Sequence, residues 1–242
     1  MEVHHPHHPT HKKKWSEYII EFVMLFTAVT LGFFAENIRE HISENTKKEE
    51  LMKIVSLDLQ RDLKQLEFHK ADVQLKSNTI DSFFVMTNQD PKTINTRTYY
   101  WLLGNHLGYW NFNPNDRSRN DADSKGYFRD IENTELAYCM SKYNFFLLDF
   151  KAIEEEATQY RIKLKDQMEF VTEHEYYDRV CEVRFDKIPN KIGVLAPNKA
   201  AMNKVKYLVS NMRNIYKGFG GDIDSLNVYG KRAIELINSK NE

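Results

Sequence analysis

The chain is poor in the residues that break or staple a fold: 242 residues hold 9 Gly, 6 Pro and 2 Cys. Few breakers favour long helices, and no convincing run of alternating strand pattern appears, so the expected class is all-α. The cysteines, Cys139 and Cys181, make no C-x-x-C spacing, which removes zinc knuckles and dithiol redox motifs. Both lie in helix-like stretches as candidate core residues, with a disulfide in an oxidising compartment as the other reading. Net charge is -1, from 34 basic and 35 acidic side chains that are interspersed. A nucleic-acid partner would call for a basic face, so none is expected. There is no Gly-rich phosphate loop, no G-x-S-x-G elbow and no H-E-x-x-H pair. No enzyme activity, cofactor or metal is expected.

One long apolar run stands out against a mean hydropathy of -0.62. It starts after Lys12, Lys13 and Lys14 and runs from Trp15 to Ala35, with one carboxylate, Glu21, inside the continuous apolar part that begins at Tyr18. As a helix at about 1.5 Å per residue it would be roughly 31 Å long, enough for a bilayer core of about 30 Å. The run is apolar on all faces, and Trp15, Tyr18, Phe33 and Phe34 mark its ends as interfacial aromatics would. A cleavable signal would want small residues at its end, where Phe33-Phe34-Ala35 stands instead. A buried core helix is the alternative to a membrane span.

Residues 1–14 read as a disordered tail, with His4, His5, His7, His8 and His11 broken by Pro6 and Pro9. Residues 15–35 read as the span, and 36–242 as a helical stalk and bundle domain. The compact Lys12–Lys14 cluster places the amino end in the cytoplasm. The location expected is then a bacterial inner membrane, crossed once, with the carboxyl-terminal domain in the periplasm.

From Glu36 to Thr87 there is neither Pro nor Gly, and Met52, Leu59, Leu66, Val73 and Ile80 recur every seven residues. The companion line, Val55 to Phe83, holds Asp62, His69 and Lys76 in its middle. Those three polar residues exclude a clean two-stranded coiled coil. A broader apolar face using Leu51, Ile54 and Leu63 predicts packing into an antiparallel bundle instead. Asn88-Gln89-Asp90-Pro91 ends this helix, and a dense aromatic stretch, Tyr99 to Phe112, follows as a short helix and loop or a ligand pocket. Asn113 to Ser124 reads as loop. Leu136, Met140, Tyr143, Leu147, Phe150, Ile153 and Ala157 predict one buried stripe on a helix from Thr134 to Arg179. Met202 to Ile215 makes another helix ending near Lys217-Gly218, and Asp222 is the expected cap of a last one reaching Ile237.

The basic amino-terminal patch, Tyr18 three residues before Glu21, an apolar span with Gly32 and the following acidic helix together resemble a family of small uncharacterised bacterial membrane proteins. Such proteins also carry a mid-domain segment whose spacing Gly126, Ile131, Asn133 and Leu136 reproduce, with Tyr143 where a tyrosine pair is usual. Ile20 stands where the family has glycine before the span carboxylate, and Lys125 where it has serine. The resemblance implies a single-span envelope protein with a helical domain and brings no activity. Physically, Gly126 suits the positive φ that ends a short helix, Ile131 a buried contact, and Asn133 the cap of the next helix.

Within the run, Glu21, Leu25, Ala28 and Gly32 share one side of a helix, and Ala28 and Gly32 form a small-x-x-x-small pair. A contact with a second copy or another membrane subunit is expected there, besides the lipid bilayer itself. Three functions fit: a scaffold or accessory subunit binding other envelope proteins, a subunit of an ion-driven or transport complex using Glu21, and an extracytoplasmic sensor acting through a partner. The first is the reading adopted. His69 with Asp72 and His174 with Asp178 lie one helical turn apart, and Glu154-Glu155-Glu156 reads as a solvated face.

Overall fold

The computed structural model describes residues 14–108, 111–129, 134–182 and 184–239, and among them every regular element is helical. The His-rich segment, Tyr109, Trp110, Ile131 and Asn133 lie outside the described residues. Helix α1 spans Trp15–Thr87, α2 Thr96–Asn105, α3 Arg117–Ser124, α4 Thr134–Lys165, α5 His174–Cys181 and α6 Lys199–Asn238. Short 3-10 turns sit at Pro91–Thr93, Met168–Phe170 and Phe185–Lys187.

The chain divides into two units, Met1–Glu50 and Leu51–Glu242. In the described part of the first, the helix is long and apolar enough to cross a membrane, and its apolar window has no buried residue. Leu25 is 68% exposed and Val29 71%, so within its own unit this stretch is not a buried core helix. Thr30 returns its hydroxyl to the Phe26 carbonyl (2.7 Å), which leaves no polar group of that side chain seeking water.

In the second unit the stripes seen in sequence form one core. Leu59, Leu66 and Ile80 of α1 are buried with Leu136, Met140, Tyr143 and Phe150 of α4 and Val205, Val209 and Ile223 of α6. Gly230 lets α6 approach closely: a Cβ there would stand 2.9 Å from Leu63 Cδ2 and 3.2 Å from Tyr143 Cε2. Polar ties join α1 to α6, including Ser56 to Asn238 (3.1 Å), Lys70 to Asp224 (2.5 Å), Arg213 to Asp81 (2.6 Å) and Lys206 to Asn88 (2.7 Å).

Several sequence expectations are corrected. The stretch read as loop contains α3, because Ser118 bonds Asp58 (2.6 Å) and Arg119 and Ala122 are drawn into the core. The helix expected to reach Arg179 stops at Lys165. Tertiary bonds claim the backbone beyond it: the Tyr99 hydroxyl donates to the Val171 carbonyl (2.6 Å) and Glu173 N–H to the Tyr100 hydroxyl (2.7 Å). Conversely, α6 does not stop near Gly218. Buried Phe219 and Ile223 hold it against α4, and Gly218 fits where a Cβ would meet Ile153 Cδ1 at 2.9 Å. Asp222 is therefore no cap but a buried mid-helix residue. Lastly, Ile54 is 49% exposed, and the buried face of α1 passes through the polar line instead.

Gly126, at φ +73°, closes α3 with Tyr127 N–H bonded to the Ala122 carbonyl (3.0 Å) and Gly126 N–H to that of Asp123 (2.9 Å). This paired closure satisfies carbonyls that the last turn would leave free. Leu136 is buried in the first turn of α4. Cys139 and Cys181 are both free, the first buried and the second exposed, so Cys181 is not the core residue its surroundings suggested.

Candidate functional site

Two places combine chemistry with unusual surroundings. The first is the side of α1 bearing Glu21, Leu25, Ala28 and Gly32. All four are exposed, and a Cβ built on Gly32 meets nothing within 4 Å. That side is open to a second helix.

The second is the polar line inside the domain. Asp62, His69 and Lys76 are all buried, at positions seven apart on α1. Asp62 is fully enclosed and accepts from Asn115 N–H (2.9 Å), the Asn115 side chain (3.3 Å) and the Tyr143 hydroxyl (3.2 Å). The Arg119 guanidinium stands 3.5 Å away and lies over the Tyr143 ring. Burial pushes the Asp62 carboxyl up, opposed by the Asn115 N–H and by Arg119. This cluster pins the 111–116 segment and α3 to α1.

One step along, the His69 ring packs edge-on to Phe112 with centroids 6.0 Å apart, and burial pushes its pKa down. A further seven residues on, Lys76 pairs with Asp72 (2.6 Å) and donates to the Gly108 carbonyl (3.4 Å). Burial lowers the Lys76 pKa and Asp72 resists that shift. His106, with no exposed surface, stacks on Tyr216 and lies 3.3 Å from its hydroxyl. Burial, then the Lys76 charge, pushes His106 down to about 4, so its ring is neutral at neutral pH.

Beside this line is a cavity of about 610 Å³ between α1, α2, α5 and the end of α4. Its polar wall includes Asp72, Lys76 and Lys165, and its apolar wall Trp101, Tyr177 and Phe185. Thus part of the aromatic stretch lines a pocket, while Tyr99 and Tyr100 are core against Tyr176.

The paired residues noted in sequence separate in role. Asp72 is engaged by Lys76, and His174 and Asp178 are exposed on α5. Among the described residues no group of three His, Cys, Asp or Glu is arranged to hold a metal ion. Of the acidic run, Glu154 turns inward and accepts from Phe112 N–H (3.2 Å), while Glu155 and Glu156 stay exposed. Sequence reasoning missed Arg119 and His106 altogether. The signal for Arg119 was Asp62 on the inward line of α1, where a buried carboxylate calls for a cation from elsewhere. No family model matches the chain, and no curated protein or solved structure matches it.

Proposed function

We propose that the chain is a single-span membrane protein of the bacterial inner membrane, with its amino end in the cytoplasm and its helical domain in the periplasm. The domain is an antiparallel bundle in which steps forward along α1 (Ser56, Lys70, Asp81, Asn88) are matched by steps back along α6 (Asn238, Asp224, Arg213, Lys206). Its role is to bind other envelope proteins as a scaffold or accessory subunit, without catalysis. The observation that carries this reading is the contrast in burial. The apolar window of α1 has no buried residue, while the domain hides its own stripes. Apolar surface left uncovered on that scale asks for lipid or another helix.

The side bearing Glu21, Leu25, Ala28 and Gly32 would meet a second copy or a different membrane subunit. Gly32 permits close backbone approach of the partner helix. Photo-crosslinking in native membranes tests this, with probes at Ala28 and Leu31. A protein adduct from Ala28, lost in Gly32→Leu, is expected, with lipid adducts from Leu31. Lipid-only labelling at both positions would refute the contact. Topology is read by a periplasm-active reporter fused after Glu242, which should be active; activity only of a cytoplasmic reporter there reverses the orientation.

A further inference from the structure

The cavity bounded by Lys76, Lys165 and Trp101 has no part in a scaffold role, and its chemistry is that of a ligand site. Its volume, about 610 Å³, is within the roughly 300–1,000 Å³ usual for small-molecule pockets, which pair apolar walls with a few convergent polar groups. Here the apolar walls are aromatic: Trp101 from α2, Tyr177 from α5 and Phe185 from the following turn. Flat rings of this kind favour a flat or chain-like apolar body.

Charge selects the polar end of the ligand. Two ammonium groups, Lys76 and Lys165, line the cavity against one carboxylate, Asp72. Asp72 is already committed to Lys76 at 2.6 Å. Lys165 is exposed on the last residue of α4, with no such partner demanded of Asp72. Behind the wall the buried Arg161 adds a cation close enough to repel Lys76, and Glu154 answers it. The sum over these five groups is one positive charge. Gly108 contributes its carbonyl to the Lys76 ammonium, and a Cβ there would stand 3.5 Å from Nζ. Glycine therefore leaves the space beside the ammonium open.

We propose that this cavity binds a small organic monoanion with an apolar, aromatic-compatible body, its anionic group facing the lysines and its body lying against Trp101, Tyr177 and Phe185. Lys76 is fixed by the core and sets the position of the anion. Lys165 closes over it from the rim. The site is formed wholly by residues of the Leu51–Glu242 unit, so it stands or falls independently of the membrane reading.

The test uses full-length protein in nanodiscs of zwitterionic lipid and three probes that share one ring system: indole-3-acetate, indole-3-acetamide and tryptamine. Calorimetric titration should show the anion binding at least about fivefold more tightly than the neutral amide, with the cation weakest. Lys165→Glu, at an exposed position that leaves the fold intact, should abolish the preference for the anion while the melting temperature stays unchanged. Equal affinity for the three probes, no binding of indole-3-acetate up to about 1 mM, or an anion preference surviving in Lys165→Glu would each overturn the proposal.

Discussion

Helix α1 handles charge in opposite ways along its length. Between Tyr18 and Ala35 a single carboxylate, Glu21, sits on a helix whose apolar side chains all face outward. Between Leu51 and Thr87 one apolar stripe faces inward, while Ile54, Phe68 and Val85 stay exposed, and Asp62, His69 and Lys76 go in with that stripe. Hydrophobicity alone sets the pattern of the first stretch. It does not explain the second, where charged groups are buried and must bring their partners. Asp62 has Arg119, Tyr143 and Asn115, and Lys76 has Asp72 and the Gly108 carbonyl. All of these but Asp72, one turn away on α1, come from distant segments, so the polar line chooses which loop and which helix pack on α1. Non-polar residues in its place would hold the helix without saying what else belongs there. We regard specificity of docking as the line's role in this fold.

The largest effect expected from breaking this arrangement is at Arg119. Arg119→Met leaves the Asp62 carboxylate enclosed without its cation and should cost on the order of 3–5 kcal/mol in chemical denaturation. The double change Asp62→Leu/Arg119→Met should recover most of that loss. A double variant as unstable as the single one would mean that packing, not charge, holds α3 in place.

Next in size is the close approach of α6. Gly230→Leu would drive a side chain into Leu63 and Tyr143, and overpacking of this kind costs about 1–3 kcal/mol. A melting temperature equal to that of the unaltered chain would show that α6 stands further from α1 than described.

Asp222 gives a smaller, pH-dependent effect. Burial first, and the Asp149 charge second, push its carboxyl up from 3.8 to about 6. The folded chain then keeps this proton to higher pH than the unfolded chain does. Its stabilising contribution is complete below 3.8 and is lost as the pH rises toward and through about 6. Asp222→Asn should raise stability above pH 6 and flatten the profile between pH 4 and 6. A variant profile parallel to the original would assign that slope to other groups. The smallest effect belongs to the other end of α1: Glu21→Gln should leave the melting of the domain unchanged, since no residue in that stretch contributes to its core. A shift there would join two regions that the comparison keeps apart.

Much of this helical pattern is legible in residue spacing. The seven-residue recurrence from Met52 to Ile80, the α4 stripe from Leu136 to Ala157 and the stop at Asp90-Pro91 all follow from local rules. What escapes them is set by contacts between distant residues. Nothing near Asp166 signals a break, because the hydroxyls of Tyr99 and Tyr100 make it. Gly218, Gly220 and Gly221 look like a helix end, yet the helix survives because Phe219 and Ile223 are anchored in the core. Polar α3 looks like loop until Arg119 is seen entering the core. The cavity is the same kind of case. Its lysines and aromatics lie on five segments, and no single stretch of sequence announces their meeting.

The account turns on what surrounds the apolar stretch of α1. Nitroxide labels placed singly at Leu25, Ala28, Leu31 and Phe33 in proteoliposomes report this directly, through collision with oxygen, which concentrates in lipid, against a water-soluble nickel complex. We expect oxygen to dominate at all four positions, with Ala28 the most shielded. Nickel access at any of the central positions, or exclusion of both reagents at all four, would place that stretch in water or inside protein and contradict the membrane-spanning reading.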